Sequence, residues 1–211
     1  MKQKIIFQDK KVKFFFLLWL LAIGAGMYLL TSHANKPEKG VIVSPFWPQN
    51  TKLALAKDRP TLVLFAHPKC PCTRATMGEL ALLMTQTQNK AQVYVLFTKP
   101  KNFPDEWQQT DIWESAKNIP GAEVVLDLAG EEANKFQVFT SGQTLVYNSE
   151  GKLLFNGGIT IARGHSGDNL GRSTISKIIN NDTVTIENTP VFGCTLCLPN
   201  SDQPAPQTNK F

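Results

Sequence analysis

The sequence predicts an α/β protein, a three-layer α/β/α sandwich around a central mixed sheet, preceded by one N-terminal transmembrane helix. Three features support this: an uncharged apolar run over 14–30, alternating strand and helix patterns over 61–136, and a hairpin followed by a closing helix. Strands that alternate with helices form parallel pairs covered on both faces, and a hairpin adds an antiparallel pair. A chain of 211 residues has room for one such domain and its accessories.

The N-terminus consists of a basic leader, residues 1–13, and a membrane-spanning segment, residues 14–31. The leader holds five lysines and one aspartate, which account for +4 of the net charge of +5. Residues 14–30 cover ~25 Å as a helix, close to the ~30 Å of a hydrocarbon core. Lysines stay on the cytoplasmic side of such a segment. The basicity is therefore a topology signal, and we do not expect nucleic acid as a partner.

Two interpretations of this segment remain, an anchor and a cleaved signal peptide. Its length exceeds the ~7–15 apolar residues of a signal peptide, which favours the anchor, whereas residues 32–34 (SHA) resemble a cleavage site. The anchor interpretation gives a single-pass protein of the bacterial cytoplasmic membrane. In both, the C-terminal domain faces the periplasm or the cell exterior.

The exported part divides into a linker over 32–50, a domain over 51–198 and a polar, proline-rich tail over 199–211, expected to be disordered. Apolar runs rich in β-branched residues predict strands, and a turn sequence over 148–151 (NSEG) predicts an antiparallel hairpin. The predicted elements are a short helix over 51–57, strand 61–66, helix 73–85, strand 92–98, helix 107–118, strand 123–128, helix 131–136, strands 143–147 and 152–155, and helix 168–180.

All four cysteines lie in the exported part, as the pairs Cys70 and Cys72 (CxC) and Cys194 and Cys197 (CxxC). A disulfide framework closes long loops between distant cysteines, whereas two tight pairs are typical of redox dithiols or of metal ligands. The first pair stands where a buried strand turns into a helix. Free N–H groups at a helix start stabilise a thiolate, which is the reactive form of cysteine.

Other charged and polar groups accompany the first pair. His67, Lys69 and Arg74 are close in sequence and are candidates for a second shell around the sulfurs. His165 lies in a glycine-rich loop and is a further candidate. The alternative for that loop is a turn and helix cap made by Ser166 or Asp168.

Residues 67–74 (HPKCPCTR) and 164–169 (GHSGDN) carry a family resemblance. The chain resembles the thioredoxin-like superfamily, in particular its extracytoplasmic RedB-like members, over residues 40 to 198. The resemblance implies a thioredoxin-like fold in which Cys70 attacks and Cys72 resolves. The chain departs from thioredoxins in two respects: the cysteine spacing is one residue shorter, and residues 140–144 (TSGQT) lack the cis-proline of the peptide-binding groove, which puts thioredoxin-like substrate docking in doubt.

The short spacing has a redox consequence. A disulfide between Cys70 and Cys72 closes a small, strained ring, and strain raises the reduction potential. We therefore expect an oxidant or isomerase-like poise relative to thioredoxin. Cys194 and Cys197 either relay electrons with the first pair or form a local disulfide that staples the C-terminal segment.

The expected function is thiol–disulfide exchange with protein thiols and disulfides outside the cytoplasm. One alternative is a copper- or zinc-binding metallochaperone that uses Cys70 and Cys72 together with His165 or with Cys194 and Cys197. A third hypothesis is a redox-inactive interaction module held by two disulfides. Only the metallochaperone would need a cofactor, copper or zinc.

Overall fold

The structure is a computed structural model that describes residues 10–38, 43–88, 90–104, 106–182 and 187–196. The basic leader up to residue 9, Cys197 and the predicted tail lie outside the described residues. The described elements are α1 Lys10–Ala34, β1 Thr61–Ala66, α2 Pro71–Thr87, β2 Gln92–Lys99, α3 Asp111–Lys117, β3 Ala122–Leu128, α4 Glu131–Lys135, β4 Thr144–Tyr147, β5 Leu153–Gly157 and α5 Leu170–Ile179.

The chain divides into two compact units after Lys36. The first contains α1, whose 25 residues include no buried side chain. This helix is long and apolar enough to cross a membrane, because 25 residues cover ~37 Å at the helical rise. The predicted N-terminal span is therefore present as a continuous helix.

The second unit is built on a five-stranded mixed sheet in the order β3-β2-β1-β4-β5. Strand β1 is parallel to β2 and antiparallel to β4, so that Leu64 is paired with Val95 on one side and with Thr144 on the other. Strand β3 extends the parallel half at one edge, and β5 completes the hairpin at the other. This order and these directions are those of a thioredoxin-like fold, which confirms the predicted fold class.

Alternate residues of β1 separate the two layers of the core, as strand geometry requires. Leu62 and Leu64 pack with the helices α2, α3 and α5. Val63 and Phe65 pack on the opposite face, against α4 and an irregular segment that includes Leu53. All six residues of β1 are buried, which explains why the strand reads as an uninterrupted apolar run.

The predicted helix over 51–57 is wrong. Its backbone is irregular because tertiary contacts use its groups: the Thr51 hydroxyl bonds the Glu132 carboxylate, and the Ala56 N–H donates to the Thr61 hydroxyl at 3.1 Å. Leu53 is buried in the core at the same time. A helix over these residues would not allow Thr51, Leu53 and Ala56 to make all three contacts.

The predicted helix over 107–118 begins later than expected, at Asp111. Thr110 ends the preceding turn and caps α3, its hydroxyl accepting a hydrogen bond from the N–H of Trp113 at 3.3 Å. Trp107, which the prediction placed in the helix, instead packs edge-on against the ring of His67. Closer to the domain's start, Trp47 of the predicted linker packs against Phe136.

Candidate functional site

Cys70 stands at the junction between β1 and α2. It is the N-cap residue of the helix, with Pro71 at the first helical position, where the fixed φ of proline favours a helix start. The Cys70 N–H donates to the carbonyl of His67 at 3.1 Å and closes the turn between strand and helix. The side chain is only 1% exposed. The sulfur is therefore held at the helix N-terminus, beneath other groups.

The Cys70 sulfur is surrounded by hydrogen-bond donors. Burial alone raises its pKa, but hydrogen bonds from the Cys194 thiol, from the N–H and hydroxyl of Thr73 and from the N–H of Cys72 outweigh that effect, and the pKa of Cys70 is lowered. Donors that point at a sulfur favour its charged form. Cys70 is thus the cysteine of the site whose thiolate form is favoured.

The pKa values of the two neighbouring cysteines, Cys72 and Cys194, are shifted in the opposite direction. Burial, followed by the negative charge and hydrogen bond of Cys70, raises the pKa of Cys72, although the Arg163 guanidinium and the N–H of Gly164 partly oppose this. Burial and the hydrogen bond to Cys70 raise the pKa of Cys194 to about 12. Ionisation is therefore favoured at Cys70 and disfavoured at Cys72 and Cys194, and all three cysteines are free.

Cys194 reaches this cluster on a segment that pairs with residues 139–141. The N–H of Ser141 donates to the carbonyl of Cys194 at 2.8 Å, and the N–H of Leu196 donates to the carbonyl of Phe139 at 2.9 Å. Leu196 is 3% exposed and belongs to the core. The segment is thus docked by backbone pairing and by an apolar anchor.

Ser141 connects this segment to the thiolate. Its hydroxyl accepts from the N–H of His67 at 2.9 Å and is hydrogen-bonded to the Thr73 hydroxyl at 2.8 Å. The Thr73 hydroxyl is also among the hydrogen-bonding groups that lower the pKa of Cys70. A chain of hydrogen bonds thus runs from His67 through Ser141 and Thr73 to Cys70, and each bond polarises the next.

Arg163 closes the other side of the cluster. Its Nη1 donates to the carbonyl of Gly193 at 2.7 Å, and its Nη2 forms an ion pair with Glu38. The loop that carries Arg163 is anchored by the buried Glu79, which accepts from the N–H of Gly167 at 2.8 Å and pairs with Arg172 at 3.2 Å. The guanidinium is therefore fixed near Cys72 and Cys194.

The sequence analysis did not identify Ser141, Thr73 or Glu79 as site residues. A signal was present for the first, because the absence of proline over 140–144 had marked that stretch. The others are ordinary polar residues in the sequence, and their roles follow from packing alone.

The predicted second-shell residues His67, Lys69 and Arg74 face other partners. Burial and the nearby charge of Lys69 lower the pKa of His67, whose Nδ1 accepts from the N–H of Lys69 at 3.2 Å. The Lys69 ammonium lies 5.0 Å from the ring centre of Trp107. Arg74 forms an ion pair with Asp111. Of the three, His67 is joined to the cysteines, through its backbone and Ser141.

His165 is exposed, and its Nδ1 lies 2.7 Å from the carbonyl oxygen of Arg163. Its neighbour Gly164 supplies the N–H that contacts Cys72. The cap of α5 is Asn169, which accepts from the N–H of Arg172 at 2.8 Å, so the prediction of Ser166 or Asp168 as the cap is wrong.

The residues described by the structure include no group of three or more His, Cys, Asp or Glu side chains arranged to hold a metal ion. The predicted set of Cys70, Cys72 and His165 is therefore not assembled as a ligand group here. The set that includes Cys197 falls outside the described residues.

No protein-family model and no curated protein sequence matches this chain. Solved structures do. A hypothetical protein from Sinorhizobium meliloti has a TM-score of 0.59 at 16% identity, and the similar region covers 77% of this chain and 98% of that protein's chain. An uncharacterized conserved protein from Geobacillus kaustophilus has a TM-score of 0.56 at 15% identity, with 77% and 93% covered. A secreted Mycobacterium tuberculosis disulfide oxidoreductase homologous to E. coli DsbE is more distant, at a TM-score of 0.43 and 13% identity over 59% of this chain and 83% of its own. At such identities, the first two similarities show the fold alone.

Proposed function

We propose that this chain is a membrane-tethered thiol–disulfide oxidoreductase that acts outside the cytoplasm, with Cys70 as the attacking thiolate and Cys72 as the resolving thiol. The observation that carries the proposal is the placement of Cys70 as the N-cap residue of α2, with Cys72 in the first turn of the same helix. The directions of the pKa shifts, lowered at Cys70 and raised at Cys72, agree with this placement. Exchange requires one cysteine that ionises readily and attacks the substrate disulfide first. A second cysteine then attacks the resulting mixed disulfide and releases the substrate. The shared HPKCPCTR and GHSGDN segments support a RedB-like protein.

The reaction is written with a protein disulfide as substrate. The Cys70 thiolate attacks one substrate sulfur, the substrate disulfide breaks, and one substrate thiolate leaves. Cys72 then gives up its proton and attacks the Cys70 sulfur, which releases the second substrate thiolate. The substrate gains two electrons and the Cys70–Cys72 pair loses two. The reverse sequence oxidises a substrate dithiol.

The activity is tested on the full chain in detergent micelles, with reduction of a peptide disulfide as the readout. We expect Cys70→Ser to abolish exchange and Cys72→Ser to accumulate the mixed disulfide. The control is Thr195→Ser, at an exposed position of the C-terminal segment. Exchange that persists in Cys70→Ser would refute the assignment of the nucleophile.

The same preparations distinguish the metal alternative. Metal carriage would be supported in place of the oxidoreductase proposal by two results together. The wild type would bind stoichiometric copper or zinc, which both cysteine variants lose, and the wild type would show no exchange activity. Elemental analysis of the purified protein supplies this measurement.

The tether rests on α1, which is long and apolar enough to span a membrane. We expect the protein to stay with membranes after an alkaline carbonate wash and to retain its basic leader by intact mass. A mature N-terminus just after Ala34 would show a cleaved signal peptide instead and would remove the tether from the proposal.

A further inference from the structure

The sulfur proposed to attack is the least accessible one. Cys70 is 1% exposed and Cys72 is 9% exposed, whereas Cys194 is partly exposed and its neighbour Thr195 is exposed. A hydrogen bond from the Cys194 thiol is the largest of the effects that lower the pKa of Cys70. A partner that approaches from solvent therefore meets Cys194 before it meets Cys70.

The covering segment, residues 191–196, is docked as an added strand. Its two backbone hydrogen bonds to Phe139 and Ser141 and the antiparallel bridge between Thr140 and Thr195 are contacts of the kind an extended peptide makes with a strand, formed here with the stretch that precedes β4. A partner peptide cannot use the same N–H and carbonyl while the segment is in place. Access to Cys70 along this stretch is thus occupied by the chain itself.

The close fit of this segment is built into both backbones. A Cβ added at Gly193 would lie 1.7 Å from the carbonyl oxygen of Ser141, so only glycine permits this approach. Phe192 and Leu196, on either side of the cysteine, are 7% and 3% exposed. Arg163 holds the carbonyl of Gly193 at 2.7 Å. Cys194 is therefore presented to Cys70 by a fixed segment.

We propose that Cys194 is the exchange cysteine of this protein: the working oxidised form carries a Cys70–Cys194 disulfide, and the thiol of a partner protein attacks the sulfur of Cys194. The inference rests on the proposed thiol–disulfide function and replaces its assignment of residue roles: the partner's mixed disulfide forms on Cys194 and not on Cys70, and Cys72 takes no part in this route. Cys70 serves as the buried sulfur that is released.

In the first step of the exchange, a partner thiolate attacks the Cys194 sulfur, the Cys70–Cys194 bond breaks, and Cys70 leaves as a thiolate. The partner's second thiolate then attacks its own sulfur in the mixed disulfide, and Cys194 leaves and takes up a proton. The partner dithiol loses two electrons and the protein disulfide gains two. A disulfide-bearing redox partner regenerates the oxidised form by the reverse steps.

The order of these steps follows from the site. A thiol of low pKa leaves faster, and the donors around Cys70 stabilise the thiolate that departs. The attacked sulfur must be accessible, and Cys194 is more exposed than Cys70.

The first test maps the disulfide. The full chain in detergent micelles is oxidised with glutathione disulfide, digested without reduction and examined by mass spectrometry. The expected linkage is Cys70–Cys194. A sample in which Cys70 is linked only to Cys72 would overturn the inference.

The second test locates the attacked sulfur. Oxidised Cys72→Ser protein is mixed with reduced glutathione, quenched in acid and mapped. We expect glutathione on Cys194 and a free thiol at Cys70, and a glutathione adduct on Cys70 would contradict the proposed route.

A third test separates this inference from the proposed function. We expect Cys194→Ser and Cys194→Ala to lose about tenfold or more in the rate of dithiol oxidation, while Thr195→Ser keeps the wild-type rate and thermal unfolding shows all three folded. Full activity in both Cys194 variants would sink the inference and leave the proposed function in place. A wild-type protein without any exchange activity would overturn both.

Discussion

The backbone N–H of Ser141 donates a hydrogen bond of 2.8 Å to the carbonyl oxygen of Cys194. Ser141 lies in the stretch where thioredoxins carry a cis-proline, and proline has no N–H to donate. This difference from thioredoxins therefore has a structural use: a serine here holds the segment that carries Cys194. The same residue also contacts Thr73 through its hydroxyl, so that segment and thiolate share one support.

The pKa of Cys70 should lie below that of an ordinary cysteine thiol, because the hydrogen-bond donors around its sulfur favour the thiolate. Thr73→Val removes the hydroxyl donor, so the pKa of Cys70 rises and the thiolate appears at higher pH. Thr73→Ser keeps the donor and is the control. Ultraviolet thiolate absorbance against pH measures the step, which should disappear in Cys70→Ser. A step that does not move in Thr73→Val would contradict the assigned donor.

Gly193→Ala should displace the covering segment, since its Cβ would stand 1.7 Å from the Ser141 carbonyl oxygen. We expect alkylation of Cys70 by iodoacetamide to accelerate by about tenfold or more as the local structure opens. The matched control is Gly78→Ala in α2, where the nearest heavy atom is 3.9 Å away and the change should stabilise the helix by about 0.5–1 kcal/mol. Equal alkylation rates in the two variants would show that the segment does not cover Cys70.

The reduction potential of the disulfide that Cys70 forms should lie above that of thioredoxin, which is about −270 mV. The donors around Cys70 stabilise the thiolate of the reduced protein, and stabilising the reduced form makes the disulfide a stronger oxidant. Thr73→Val should consequently lower the potential. Equilibration with glutathione buffers gives both values, and a wild-type potential at or below that of thioredoxin would refute this poise.

Glu79 should be among the residues most needed for stability. It is fully buried and pairs with Arg172, and leaving one partner of a buried pair alone costs about 3–5 kcal/mol. We expect Glu79→Ala to lower the free energy of unfolding by that amount and Glu79→Leu with Arg172→Leu to recover part of it. The exposed pair of Glu114 and Lys117 provides the control, for which Glu114→Ala should cost about 0–1 kcal/mol. Urea unfolding in mild detergent measures all of these variants.

Several elements were predictable because their patterns are local. Strand β1 follows the predicted bounds 61–66, since a strand buried on both faces is an uninterrupted apolar run. The other strands and the main helices lie within a few residues of their predicted positions. The conformation of the segment over 51–57 could not be predicted from its own residues. Contacts of Thr51 and Leu53 with distant parts of the chain determine it.

By itself, the sequence determined that an apolar helix precedes an α/β domain and that Cys70 stands at a helix start, since hydrophobic periodicity and the strand–turn–helix order are written in neighbouring residues. Only the tertiary structure decided which thiol meets Cys70. The contact with Cys194 depends on the pairing of residues 139–141 with 194–196 and on the close approach at Gly193. Such pairing between distant segments depends on how the whole chain folds, and no local spacing encodes it.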